Sequence, residues 1–250
     1  SARHVEVQII GDKHGNVCHV GERDCSIQRR HQKLVEEAPG PTLTDEERKA
    51  LGDAAVKAAK AVDYDSAGTL EFLYDEVAKQ FYFMEMNTRI QVEHTVSEEV
   101  TGIDLLKEMI RVAAGEKLSF TQDEVVVQGH AIEYRVNAED PYRNFTPAPG
   151  PVEAVHFPGG PGIRIDSHVY SGYVIPPYYD SMVGKIIAKG RDRNEAIARL
   201  KRALAEFTIN GPHTSVPLGL ALMEDETFCS GAYNTAYLES FMNEVFLKEQ

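Results

Sequence analysis

The sequence predicts an α+β protein built on antiparallel strands, and three observations carry that expectation. Two runs of alternating polarity, "GTLEFLY" at 68–74 and "QFYFMEMN" at 80–87, flank a short polar turn, as the arms of a β-hairpin do. Thr44 and Glu47 form a capping box ahead of a helix through about Val62, where Leu51, Ala55, Ala58 and Val62 keep helical spacing. Asp192 caps an amphipathic helix that runs to Phe207.

The remaining elements follow in chain order. Residues 5–10 and 17–20 read as short strands around a "GDKHGN" turn, and "EEAPGP" at 36–41 reads as a loop. A helix is expected from about Ser97 to Ala114, ending at Gly115, with Leu105, Leu106, Met109 and Val112 as its buried stripe. "FTQDE" at 120–124 is the natural boundary, giving domains 1–124 and 125–250. Beyond it "HAIEYRVN", "IRIDSHV" and "VGKIIAKG" read as strands, and the Pro- and Gly-rich stretch 145–162 as turns. "FPGGPG" at 157–162 is no phosphate loop, because it lacks the G-x-x-x-x-G-K spacing and opens onto no evident helix.

The 250 residues suffice for one large domain or two small ones. A net charge of −13 excludes a global basic field for nucleic acid or anionic lipid. No apolar run is long enough to span a bilayer, and the start carries no signal-peptide pattern. Cys18, Cys25 and Cys229 are too sparse for a disulfide framework and are expected as reduced, small core residues of an intracellular protein. Zinc-type spacing is absent. "SARHVEVQII" runs straight into strand-like alternation without an initiator Met, which suggests a piece of a longer protein.

The chemistry concentrates in "EMNTRIQVE", residues 85–93. Read as a strand, it places Glu85, Asn87, Arg89, Gln91 and Glu93 on one face. A hairpin centred near residue 78 sets Glu71 opposite Glu85, Thr69 opposite Asn87, Leu73 opposite Phe83 and Phe72 opposite Met84. Two carboxylates opposed at roughly 5 Å repel unless a cation sits between them. Mg²⁺ or Mn²⁺ suits carboxylate and amide oxygens and is commonly shared with substrate phosphates, so Glu71, Glu85 and Asn87 point to a metal-bound nucleotide. Arg89 offers a planar fork for an anion, Glu93 a general base, and His31 and Lys33 of "QRRHQK" positive charge for phosphate oxygens.

"HVEVQIIGD", "GERDCSIQRRHQKLVEEAPGP", "AGTLEFLY", "FYFMEMNTRIQVEHTVSEEVTGIDLLKEMIRVAAGE", "GHAIEYRVNAEDP" and "PPYYDSMVGKIIAKG" together resemble the biotin carboxylase family of the ATP-grasp superfamily. The resemblance covers essentially the whole chain, in order. It implies the C-terminal half of an ATP-grasp domain, an antiparallel sheet with flanking helices, followed by the biotin carboxylase C-terminal domain. The implied activity is ATP-dependent carboxylation of biotin by bicarbonate through carboxyphosphate. ATP, two Mg²⁺ or Mn²⁺ ions and biotin, borne by a partner, would take part.

By position, Glu71, Glu85 and Asn87 resemble the family's metal site. Arg89, Gln91 and the backbone of Val92 resemble its bicarbonate pocket, and Glu93 its base. His4, Gln28, His31 and Lys33 match residues around the nucleotide, and Arg135 matches the arginine that stabilises the biotin enolate. Thr95 and Tyr134 depart from the family pattern and hold no assigned role. The family's N-terminal domain and glycine-rich lid have no counterpart here, so the resemblance implies little activity from this chain alone.

Implied partners are a biotin carboxyl carrier, a carboxyltransferase, the N-terminal half and a second copy in a homodimer. Nucleic acid and membrane are not expected, and the implied compartment is the cytoplasm, or the mitochondrial matrix in a eukaryote. The residues also leave open a carbamoyl-phosphate-type ATP-grasp ligase or a non-catalytic scaffold.

Overall fold

A computed structural model describes residues 2–248. The chain divides into two compact units. Residues up to Ser26 with Glu36–Ala131 make the first, and Ile27–Val35 with the residues from Ile132 onward make the second.

β1 (Ala2–Gly11), β2 (Val17–Arg29), β3 (Gln32–Ala38), β4 (Ser66–Asp75) and β5 (Gln80–Asn87) lie in the order β3–β2–β1–β4–β5; β1, β4 and β5 belong wholly to the first unit, whereas Ile27–Arg29 of β2 and Gln32–Val35 of β3 belong to the second. β1 pairs antiparallel with both β2 and β4, and β4 pairs antiparallel with β5. The alternation of "HVEVQII" explains what each face does. Val5, Val7 and Ile9 of β1 join Leu70, Phe72 and Tyr74 of β4 in a core that also takes Leu51, Ala55 and Ala59 of α1 (Asp45–Ala61). His4, Glu6 and Gln8 therefore point to the opposite face, with Thr69 and Glu71 beside them. α1 begins at the expected capping box, with Thr44 Oγ1 accepting from Glu47 N and Glu47 Oε2 accepting from Thr44 N at 3.2 and 2.8 Å.

Several expectations need correction. β2 runs far beyond the short strand expected at 17–20, β3 is a strand not expected from the sequence, and Glu36–Ala38 within it are strand, not loop. Only Arg30 and His31 separate the two strands, both at positive φ, 48° and 63°. The long helix expected over 97–114 is two, α2 (His94–Thr101) and α3 (Leu105–Ala113). Gly102 at φ 73° ends the first, and the Asp104 carboxylate caps the second by accepting from Lys107 N.

The hairpin register holds for Glu71–Glu85 and Thr69–Asn87 but not beyond them. A β-bulge inserts Met84, so Phe83 lies opposite Phe72 and Tyr82 opposite Leu73. The strand reading of 85–93 ends at Asn87. Residues 88–92 are irregular, and Glu93 stands at the start of α2.

In the second unit β6 (His130–Asn137), β7 (Glu139–Asp140), β8 (Thr146–Pro147), β9 (Gly150–Pro151), β10 (Ala154–His156), β11 (Ile163–Ser167), β12 (Val174–Ile175) and β13 (Met182–Gly190) precede α4 (Arg193–Glu206). β14 (Thr208–Asn210), α5 (Val216–Leu222), α6 (Glu226–Ser230) and α7 (Tyr237–Phe241) follow. The stretch 145–162 thus carries three short strands among its turns. β11, β13 and β6 are neighbours in that order. α4 starts at Asp192 as expected and buries Ala196, Leu200 and Ala203 with Ile132, Tyr134 and Ile186 of the strands. Tyr134 fits its buried place because Gly219 faces it: a Cβ there would come within 2.8 Å of the ring. Its hydroxyl donates to Ser215 O at 2.6 Å.

Cys18, Cys25 and Cys229 are free thiols. Among the described residues no helix is long and apolar enough to cross a membrane.

Candidate functional site

The polar face of the first unit is a row of charges laid across four strands. Arg23 of β2 pairs with Glu6 of β1, Glu6 with Glu71 of β4, and Glu71 with Glu85 of β5. Three carboxylates in adjacent cross-strand positions would repel. A guanidinium sits against this row at Glu6 and an imidazole ring sits beside Glu71. Arg23 Nε donates to Glu6 Oε1 at 2.6 Å, and His4 Nε2 lies 2.7 Å from Glu71 Oε2.

Asn87 closes the other end. Its Nδ2 donates to Glu71 Oε1 at 3.0 Å and to Glu85 Oε1 at 3.2 Å, so both carboxylates converge on one point. Gln91 Nε2 reaches the same Glu71 oxygen at 2.8 Å. Such convergence suits a hard divalent cation, which takes carboxylate oxygens and would accept the Asn87 amide oxygen once that amide is turned over. Glu71, Glu85 and Asn87 are thus a chemically fitting donor set. His4, Glu6 and Glu71 also bring ligand atoms within 4.8 Å of one another, but Glu6 is already engaged by Arg23.

The irregular segment after β5 carries the rest. Arg89 is exposed, with Nη2 3.3 Å from Asn87 Oδ1 and Nη1 3.3 Å from Ile90 O. Gln91 and Glu93 are buried and Val92 half-buried. His94 Nδ1 lies 2.7 Å from Gln91 O, which ties this segment to the first turn of α2. The structure therefore brings His4, Glu71, Glu85, Asn87 and Gln91 together without the continuous strand that the sequence suggested.

Gln28, His31, Lys33 and Arg135 belong to the second unit. Gln28 and Lys33 are half-buried near the ends of β2 and β3 that meet at the turn, His31 is exposed in the turn itself, and Arg135 is half-buried on β6. Arg29 beside them stacks 3.9 Å from the Phe145 ring centroid and donates to Asn144.

Sequence reasoning missed Glu6, Gln8, Arg23 and Thr69, all fully or almost fully buried on the polar face. Burial works against the charge of the Arg23 guanidinium. The carboxylates of Glu6 and Glu93 and the neighbouring Cys25 outweigh it and hold Arg23 more firmly protonated than a free arginine. The signal was present in "HVEVQ", whose alternate His4, Glu6 and Gln8 are as polar as the face read from residue 85 onward.

Known proteins agree with this architecture. Residues 1–121 match the model of the carbamoyl-phosphate synthase L chain ATP-binding domain, and residues 133–240 match the biotin carboxylase C-terminal domain. Biotin carboxylase 1 of Bacillus subtilis is 59% identical over 96% of this chain and 53% of its own length. The biotin carboxylase of Pseudomonas aeruginosa is 54% identical over 95% of this chain and 52% of its own length.

The biotin carboxylase domain of Hydrogenobacter thermophilus 2-oxoglutarate carboxylase, solved as a dimer with MgADP, ADP and bicarbonate, superposes with a TM-score of 0.94. It is 49% identical over 96% of this chain and 53% of its own. A complete multifunctional pyruvate carboxylase from Rhizobium etli superposes with a TM-score of 0.95 at 43% identity, covering 100% of this chain and 25% of its own. The chain spans about half the length of the curated relatives it matches. With an ATP-binding segment, a C-terminal domain and relatives of this kind along nearly all of its length, the chain belongs to the biotin carboxylase family.

Proposed function

We propose that this chain is part of a ligase that carboxylates biotin on a carrier protein, using bicarbonate and ATP through carboxyphosphate. The observation that carries the reading is the convergence of Glu71, Glu85, Asn87 and Gln91 within hydrogen-bond distance on one face of the sheet. Glu71, Glu85 and Asn87 would hold one or two Mg²⁺ or Mn²⁺ ions, which when bound neutralise charge on the ATP phosphates.

Arg89, Gln91 and the backbone of Val92 would bind bicarbonate, the arginine as a planar fork. Glu93, buried next to them in sequence, removes the bicarbonate proton. A bicarbonate oxygen then attacks the γ-phosphorus, the bond to ADP breaks, and carboxyphosphate forms. The bond between its carboxyl carbon and the phosphate oxygen breaks, the leaving phosphate takes the ureido N–H proton of biotin, and the ureido nitrogen bonds the carboxyl carbon. His4, Gln28, His31 and Lys33 would bind the nucleotide, with Lys33 stabilising charge on the transferred phosphoryl group. Arg135 would stabilise the biotin enolate, a developing oxyanion. Residues 1–124 would form the ATP-grasp part and 125–250 the C-terminal domain.

Solved relatives in dimeric and multifunctional carboxylases support a homodimer working with a biotin carrier and a carboxyltransferase. The test is phosphate release from MgATP by a full-length polypeptide carrying this chain. Release that requires bicarbonate and rises with free biotin is the expected result. Release indifferent to both would sink the proposal. The first family model is named for carbamoyl-phosphate synthase, so release that instead required ammonia or glutamine would favour that chemistry.

A further inference from the structure

Arg23 contributes no group to any role assigned above, yet all of its nitrogens are engaged on the polar face. Its Nε donates to Glu6 Oε1 at 2.6 Å. Nη1 donates to Gln8 Oε1 at 2.6 Å and Ser97 Oγ at 3.1 Å, and Nη2 donates to Thr69 Oγ1 at 3.3 Å and Gln91 Oε1 at 3.4 Å. A guanidinium has five N–H donors, and here each meets an acceptor. The side chain is completely buried, so these bonds are not shared with bulk water.

The bond to Gln91 has a consequence for the site. A carboxamide presents an acceptor at one end and donors at the other. Arg23 takes the oxygen of Gln91, and Glu71 takes its nitrogen at 2.8 Å. Turning the amide over would set donor against guanidinium and oxygen against carboxylate, two repulsive contacts in a buried place. Gln91 lies in the irregular stretch after β5, where no strand ladder fixes its direction.

We propose that Arg23 is a positioning residue for the anion site: by binding Gln91 Oε1 it turns the donor end of that carboxamide towards Glu71. This inference rests on the biotin carboxylase reading for the identity of the anion, bicarbonate. An oxyanion needs N–H donors aimed at it before it arrives, and an amide free to flip would present its oxygen part of the time. Lysine cannot replace Arg23, because one ammonium offers three donors from a single nitrogen and cannot span acceptors on β1, β4, α2 and the segment after β5.

The test uses the full-length polypeptide and two readouts. In Arg23→Lys, the Michaelis constant for bicarbonate is expected to rise at least tenfold while that for MgATP stays within about twofold. A crystal structure of the same variant should show Gln91 Nε2 no longer bonded to Glu71. A hydrogen bond between Gln91 and Glu71 that survives, or a parallel rise in both constants, overturns the proposal. Should Arg23→Lys fail to fold, Thr69→Val removes an acceptor from the same Nη2 that holds Gln91. It should raise the bicarbonate constant about threefold, with Thr69→Ser restoring it. Equal constants in Thr69→Val and wild type overturn the proposal. A wild type without bicarbonate-dependent phosphate release would refute the functional reading, whereas the crystal structure of Arg23→Lys would still decide the role of Arg23.

Discussion

Glu71 stands directly opposite Glu85 across the β4–β5 pair, one position before the bulge that displaces every later pairing. Like charges in such a pair destabilise an antiparallel ladder by a few tenths of a kcal/mol to about 1 kcal/mol. Under the proposed function, a divalent cation between them would turn that repulsion into binding.

That arrangement predicts an effect that changes sign with the metal. Without divalent ions, Glu85→Gln should stabilise the full-length polypeptide by about 0.5 kcal/mol, because one of the opposed charges is gone. With millimolar Mg²⁺ and ADP the wild type should gain stability and the variant should gain little. Thermal melts with and without MgADP check both halves. A variant that melts lower than wild type in both conditions would show that the pair contributes no net repulsion.

A second expectation concerns the cap of α1. Burial tends to raise the Glu47 carboxyl, but the Thr44 amide, the Tyr74 hydroxyl at 2.5 Å and the Thr44 hydroxyl outweigh it and hold the group below the ordinary glutamate value. A carboxyl lowered in the folded state stabilises fully above its unfolded value and loses that contribution as pH falls through the folded one. Glu47→Ala should therefore cost about 1 kcal/mol at neutral pH. The gap between variant and wild type should narrow as pH falls below the ordinary glutamate range. Urea midpoints at neutral and acidic pH measure it, and a gap independent of pH would contradict the assignment.

Gly102 separates α2 from α3, and the reason it must be glycine is backbone conformation alone. Its φ is 73°, and a Cβ added there would meet nothing within 4 Å. Gly102→Ala should thus destabilise by about 1 kcal/mol, the ordinary cost of placing an L side chain in the left-handed region. Arg30, at φ 48° in the β2–β3 turn, makes the opposite prediction. Arg30→Asn should stabilise by about 0.5 kcal/mol, because asparagine tolerates that region better. Melting temperatures of the two variants should move in opposite directions.

How far the sequence reached depended on whether side chains alternate against solvent or against charge. The hairpin, the capping box and the α4 cap were legible because each rests on local spacing. The bulge at Met84 was not, since an inserted residue leaves the alternation on either side intact and only shifts their phase. The break at Gly102 was hidden by an apolar stripe that continues at helical spacing past it. β2 was cut short because "GERDCSIQR" is polar on both faces. Glu22, Arg23, Asp24 and Ser26 are all buried there, paired to other charged or polar groups instead of facing water. For the same reason the row from Arg23 to Glu85 becomes visible only when four strands are laid side by side.

Glu93 carries the sharpest functional prediction. It is buried at the first turn of α2, two residues after Gln91, and its carboxylate is among the charges that keep Arg23 protonated. A carboxylate can take a proton from a bound acid. Glu93→Gln preserves size and removes that capacity. If Glu93 is the base for bicarbonate, the turnover of bicarbonate-dependent phosphate release should fall at least a hundredfold. The Michaelis constant for MgATP should stay within about twofold, because the nucleotide is assigned other residues. Steady-state phosphate release by the full-length polypeptide, with a melt to confirm folding, separates the roles. A large rise in the MgATP constant with turnover intact would instead make Glu93 part of the nucleotide site, and the base would have to be sought elsewhere on the polar face.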